Sequence, residues 1–138
     1  MNNYCFENFN VGEQAEFETE ITAEKMEYFL NISGDVNPLH TNEAYAVEKG
    51  FCSRVVYGML TASMYSTLAG VYLPGEKCIL KSVETYFQNP AYVGDVLKVS
   101  GRVKDKDDRF KQATIKAKIV NQHGKIISKA NILVGFYE

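Results

Sequence analysis

The sequence predicts an α+β fold in which a curved antiparallel sheet wraps around one central helix. Three observations lead there. A single alternating stretch, residues 14–21, precedes everything else of regular pattern. The strongest helical stretch, residues 58–73, sits mid-chain and is built from apolar and small residues. Four further strand-like stretches then fill the C-terminal half, with turn residues between the last three.

The elements follow in order. Ala15, Phe17, Thr19 and Ile21 alternate with Glu16, Glu18 and Glu20, the period of two of a half-buried strand. Thr22 is of N-cap type, although Lys25 three positions on leaves a capping box incomplete. Met26, Phe29 and Leu30 share one face of a helix over residues 23–32. The run Ser33-Gly34-Asp35-Val36-Asn37-Pro38 breaks that helix. Glycine tolerates positive φ, and proline biases the residue before it away from helical geometry. Asp35 is thereby placed on a turn. A short helix over residues 43–49 should stop at Gly50 as its C′ residue.

In the central helix Met59, Leu60, Met64, Leu68 and Val71 supply apolar bulk, with Ala62, Ser63, Ser66, Thr67, Ala69 and Gly70 between them. This composition predicts a helix buried nearly all round and closely approached on its small-residue side. Pro74-Gly75 ends it. Strands are expected over residues 78–87, 96–104, 110–121 and 126–136. Turn chemistry at residues 105–109 and at Asn121-Gln122-His123-Gly124 makes the last three a meander.

The chain has 138 residues, which fits one domain over residues 1–138. No apolar run approaches the ~18 residues of a membrane helix. Met1-Asn2-Asn3-Tyr4-Cys5 lacks the basic start and apolar stretch of a secretory signal, so a cytoplasmic location is expected, without membrane association. Cys5, Cys52 and Cys78 are widely spaced and odd in number; they read as reduced thiols and form no ligand pair. A net charge of -2 gives no basic footprint for nucleic acid. The densest charged run, Lys104-Asp105-Lys106-Asp107-Asp108-Arg109, alternates in sign and reads as a solvated hairpin turn.

Two histidines occur. His123 lies in a predicted turn beside Gly124 and reads as a surface residue. His40 follows Asp35 by five residues through Gly-Asp-Val-Asn-Pro-Leu-His. A carboxylate and an imidazole aimed at one water form an acid/base pair suited to neutral pH. Spacing alone is a weak signal and favours a second reading, in which Asp35 caps the turn and His40 packs.

Phe29-Leu30-Asn31-Ile32-Ser33-Gly34-Asp35-Val36-Asn37-Pro38-Leu39-His40 resembles the signature of the (R)-specific enoyl-CoA hydratases, the MaoC-like dehydratase family. The likeness runs through Ala44 and into Val55-Val56-Tyr57-Gly58-Met59-Leu60. It resumes at Phe87-Gln88-Asn89-Pro90-Ala91-Tyr92-Val93-Gly94-Asp95. The resemblance implies a hot-dog fold, with Asp35 and His40 as the catalytic pair and Asn37 supporting them. It makes Gly58 the residue whose backbone N–H binds the thioester oxygen, and Ser66 a pocket serine. Tyr57 departs from the histidine most often found there, although that position is not one of the catalytic pair.

The implied reaction is (R)-specific hydration of a 2-enoyl-CoA to a 3-hydroxyacyl-CoA, or the reverse dehydration. One alternative is dehydration of acyl groups held on acyl carrier protein. Another is a catalytically silent hot-dog subunit that binds acyl groups or supports a partner. No cofactor or metal is expected, coenzyme A or carrier-protein pantetheine entering as part of the substrate. A homodimer is implied. Lys49, Arg54 and Lys81 are candidates for the coenzyme A phosphates by charge alone. Ser66, Ala69 and Gly70 are spaced to share a helix face, so a small residue at Ala69 is expected to leave room for chains longer than four carbons.

Overall fold

The computed structural model describes residues 1–137. Strand β1 (Gln14–Glu20) leads into helix α1 (Ala23–Ser33), followed by two short helices, α2 (Pro38–Thr41) and α3 (Glu43–Glu48). Helix α4 (Gly58–Thr67) continues into a π-helical turn over Leu68–Tyr72. Strands β2 (Cys78–Phe87), β3 (Val96–Asp107), β4 (Gln112–Val120) and β5 (Ile126–Phe136) complete the chain. All five strands form one antiparallel sheet in the order β1-β3-β4-β5-β2. The sheet packs around α4, the hot-dog arrangement.

Period-two patterning decides which side of the sheet meets the helix. Leu97, Val99 and Val103 of β3, Ile115 and Ile119 of β4, and Ile132 and Val134 of β5 are buried, while Lys98, Arg102, Lys116, Lys118 and Lys129 face outward and are exposed. The inner side chains form one core with Leu60, Tyr65 and Leu68. Each large apolar side chain buried this way contributes roughly 1.5–3 kcal/mol. The Tyr65 and Ser128 hydroxyls lie inside this core and bond each other at 2.7 Å, which spares both the cost of burial unpaired. Gly101 sets how near the helical segment comes. A Cβ there would stand 2.7 Å from Leu68 Cδ2 and 3.0 Å from Ile115 Cγ2.

Thr22 caps α1 as expected, its hydroxyl accepting from the Lys25 N–H at 3.2 Å. The meander of β3, β4 and β5 also forms. Three expectations are corrected. The charged run 104–109 is strand as far as Asp107, which pairs with Gln112, and only then turns. Alternation in the run suits a ladder with one solvated face: Lys104, Asp105 and Asp107 are exposed, while Lys106 lies over the Phe6 ring and donates to the Phe6 carbonyl. Asn37 and Pro38 start α2, a helical turn not among the expected elements: the Asn37 side chain accepts from the Leu39 N–H, with Pro38 in the first turn. Finally, α4 is not buried nearly all round, because Met59, Ser63 and Ser66 are exposed.

The three cysteines are free, and burial pushes the Cys78 thiol up to about 11, so it packs rather than reacts. No helix among the described residues is long and apolar enough to cross a membrane. Gly101→Val should lower unfolding free energy by about 1–3 kcal/mol, the usual cost of overpacking a filled core. In urea denaturation it should lower the midpoint and leave the slope unchanged.

Candidate active site

The site begins where α1 stops. Gly34, at φ 69°, takes the left-handed cap that glycine allows without strain. The Ser33 hydroxyl donates to the Phe29 carbonyl at 2.7 Å and accepts from the Asp35 N–H at 3.1 Å. Asp35 Oδ1 then accepts from the Asn37 N–H at 3.1 Å, so a chain of local bonds carries the backbone from α1 to α2. Asn37 caps the helix that bears His40.

His40 is half-buried, and its Nδ1 lies 2.7 Å from the Val55 carbonyl oxygen. A carbonyl only accepts, so Nδ1 holds the proton and Nε2 is left for chemistry. The backbone carrying Val55 is itself fixed. The Val55 N–H donates to the Leu39 carbonyl at 3.1 Å, and the Val56 N–H to the Ala91 carbonyl at 2.8 Å. The stretch 87–95 braces it from the other side, where Asp95 accepts from the Tyr92 N–H and from the Gln122 side chain, both at 2.9 Å. That part of the family-like sequence holds the site in place without lining it, Phe87 excepted.

Gly58 is the first residue of α4, so its N–H has no acceptor within the helix. Tyr57 precedes it and makes no side-chain cap. The Gly58 and Met59 N–H groups and the positive end of the helix dipole therefore remain available to an oxygen bearing negative charge, the Leu60 and Thr61 N–H groups being taken by the Tyr57 carbonyl. Asp35, His40, Gly58, Phe29, Tyr57 and Phe87 line one cavity of about 330 Å³. A Cβ on Gly58 would come 3.0 Å from the Phe87 ring, so glycine keeps this passage open. Asp35 and His40 form no ion pair with each other; among the described residues the ion pairs are Lys49–Glu48 and Lys111–Glu7. Asp35 Oδ2 and His40 Nε2 have no hydrogen-bond partner among the described residues.

The other candidate residues fall elsewhere. Asn37 is outside the cavity lining, Ser66 is exposed further along α4, and Ala69 is buried in the core. Arg54 reaches the His40 carbonyl at 3.5 Å, whereas Lys49 sits by Glu48 and Tyr45. A wider groove, about 1070 Å³, crosses the outer face of the sheet among Arg102, Lys116, Lys118 and Lys129. It holds none of the acid/base residues. The Val55 carbonyl that fixes the His40 tautomer has no signature in sequence, since any residue carries a carbonyl. Tyr57 was visible only as a departure from the family's usual histidine.

A family model described as "MaoC like domain" matches residues 7–123. The (R)-specific enoyl-CoA hydratase of Aeromonas caviae is 32% identical over 120 residues, covering 87% of this chain and 90% of that protein. The 3-hydroxybutyryl-CoA dehydratase of Methylorubrum extorquens is 33% identical over 98 residues, 71% of this chain and 62% of its own. An unliganded (R)-hydratase of Pseudomonas aeruginosa superimposes with a TM-score of 0.91 at 29% identity, over 99% of this chain and 87% of that one. Fold and relatives define an enzyme of the hydro-lyase class. The chain belongs to the MaoC-like dehydratase family.

Gly58→Ala separates folding from access to the site. Alanine favours a helix over glycine by roughly 1 kcal/mol, so thermal unfolding should change little. The added methyl intrudes between the N–H donors and Phe87, and kcat/KM should fall by at least about tenfold, as misplacement at a reacting centre does.

Proposed function

We propose that this protein hydrates 2-enoyl-CoA to (R)-3-hydroxyacyl-CoA, or runs the same reaction as a dehydration. The observation that carries the reading is the meeting of Asp35, His40 and the uncapped start of α4 in one cavity. Adding water across a double bond conjugated to a thioester moves negative charge onto the thioester oxygen. Donors aimed at that oxygen lower the barrier most, and the Gly58 N–H is such a donor. Water's oxygen bonds to C3 of the substrate, and a proton goes to C2. Asp35 has its Oδ2 free, and His40 offers Nε2, so the two grip the water and share its proton. One of them takes that proton as the C–O bond forms, and it is then delivered to C2. The same groups serve dehydration in reverse. The protein's own side chains carry these steps, with coenzyme A entering as part of the substrate.

A second copy of the chain completes the site in this reading. The two sheet edges differ in character. Edge β1 presents Glu16, Glu18 and Glu20, the charges that keep an edge from pairing. Edge β2 presents Ile79, Leu80 and Val83 instead. Of its inner side chains, Leu80 is 42% and Phe87 50% exposed, beside Met59 on α4 at 64%. These apolar groups adjoin the cavity and have no cover within the chain. A homodimer joined through β2, with its two α4 helices side by side, would cover them and close the acyl passage near Ser66. A cytoplasmic location remains part of the proposal, in keeping with three free thiols.

Loss of enoyl thioester absorbance with crotonyl-CoA tests the reaction. Asp35→Asn and His40→Ala should each lower kcat at least ~100-fold, and the double variant should cost much less than the product of the two. Near wild-type turnover in either folded variant removes that residue from the mechanism. Faster turnover with crotonyl carrier protein would move the substrate to the carrier-bound class. No turnover with either would leave an acyl-binding subunit.

Light scattering should give twice the 15.5 kDa chain mass at micromolar concentration. Val83→Asp should return the monomer and lower activity with it. A wild-type monomer of full activity would end the dimer proposal.

A further inference from the structure

Resting on the hydratase reading, we propose that Tyr57 is a positioning residue that ties Asp35, His40 and the Gly58 N–H into one fixed geometry. Its hydroxyl donates to the Asp35 main-chain carbonyl at 2.8 Å. Its ring packs against His40 with centroids 4.2 Å apart, and against Phe29 at 4.7 Å. Its own carbonyl accepts from the Leu60 and Thr61 N–H groups at 3.1 and 3.2 Å. The peptide plane that presents the Gly58 N–H is thereby locked to the first turn of α4. The side chain is 2% exposed, so the ring has no freedom to swing aside.

Asp35 needs such a tether more than His40 does. His40 is held by the Val55 carbonyl through its own ring. Asp35 is solvent-exposed, and its carboxylate is restrained within the turn by the local bond from the Asn37 N–H; the Tyr57 hydroxyl is the long-range contact that fixes its backbone. The hydroxyl has one proton to give and spends it on a carbonyl, so it serves geometry and leaves proton transfer to Asp35 and His40. Burial, reinforced by the negative charge of Asp35, holds the Tyr57 phenol above its ordinary range, and the tether persists across the neutral range. A histidine ring ends nearer the backbone and would not span to the same carbonyl here, so this chain's departure from the family's usual residue changes how the turn is held.

Tyr57→Phe keeps the ring packing and deletes the tether. In the crotonyl-CoA assay kcat should fall about 10- to 100-fold, as loosened alignment does, while KM stays within about twofold. Added to Asp35→Asn, it should cost little more, because both act on one group. Hydrogen exchange should quicken at residues 35–39 and stay unchanged in β3, β4 and β5. This last readout needs no activity and can be taken at a temperature where the variant is folded. Wild-type kcat in Tyr57→Phe, full multiplication of its loss with that of Asp35→Asn, or exchange that quickens throughout the sheet would each overturn the proposal. Absence of hydration in the wild type would instead overturn the hydratase reading.

Discussion

Helix α4 must bury Leu60, Tyr65 and Leu68, and the sheet must bury the inner residues of β3, β4 and β5. One act of packing meets both needs, and the rest of the structure is arranged around it. With its body held inside the sheet, α4 can leave its first turn without a side-chain cap. Uncapped donors normally weaken a helix end. Tertiary burial carries the helix here, so that end is free for a ligand. The close approach at Gly101 and the buried Tyr65–Ser128 pair fix the depth at which the helix sits.

The acid/base residues reach this helix end by a different logic. Asp35 and His40 lie on a segment with little apolar burial of its own. Its shape comes from short-range bonds, Ser33 to Asp35 and on to Asn37 and Leu39. Such bonds set local conformation well and place a segment in space poorly. Placement comes from contacts across longer sequence distance: His40 to Val55, the Val55 N–H to Leu39, and Tyr57 to Asp35. All of them converge on the stretch that enters α4. Helix start and the Asp35–His40 turn are therefore registered against each other rather than independently against the sheet.

The fold is lopsided in its surfaces. Edge β1 carries acids, whereas β2 and the flank of α4 beside it carry exposed apolar side chains. Large exposed apolar surface on a small chain marks an interaction site. Here it adjoins the cavity of Asp35 and His40 through Met59 and Phe87.

The strands, α1 with its Thr22 cap, and the start of α4 could be read directly from the sequence, because periodicity and capping are local properties. The Asp35–His40 turn and the place of Gly58 at a helix start were legible through motifs of contiguous residues. Spacing alone left His40 open between packing and chemistry; the structure shows its ring packed on Tyr57 and its Nδ1 bonded to Val55, fifteen residues away. The exposure of Met59, Ser63 and Ser66 was not legible, since a helix rich in small and apolar residues looks the same whether a sheet covers one side or all of it. The burial of Ala69 in the core was equally invisible: helical spacing assigns residues to a face, but only tertiary packing decides what that face meets. The Tyr57 tether had no sequence signal beyond an unusual residue type, because a hydroxyl meeting a backbone carbonyl leaves no trace in the identity of its acceptor.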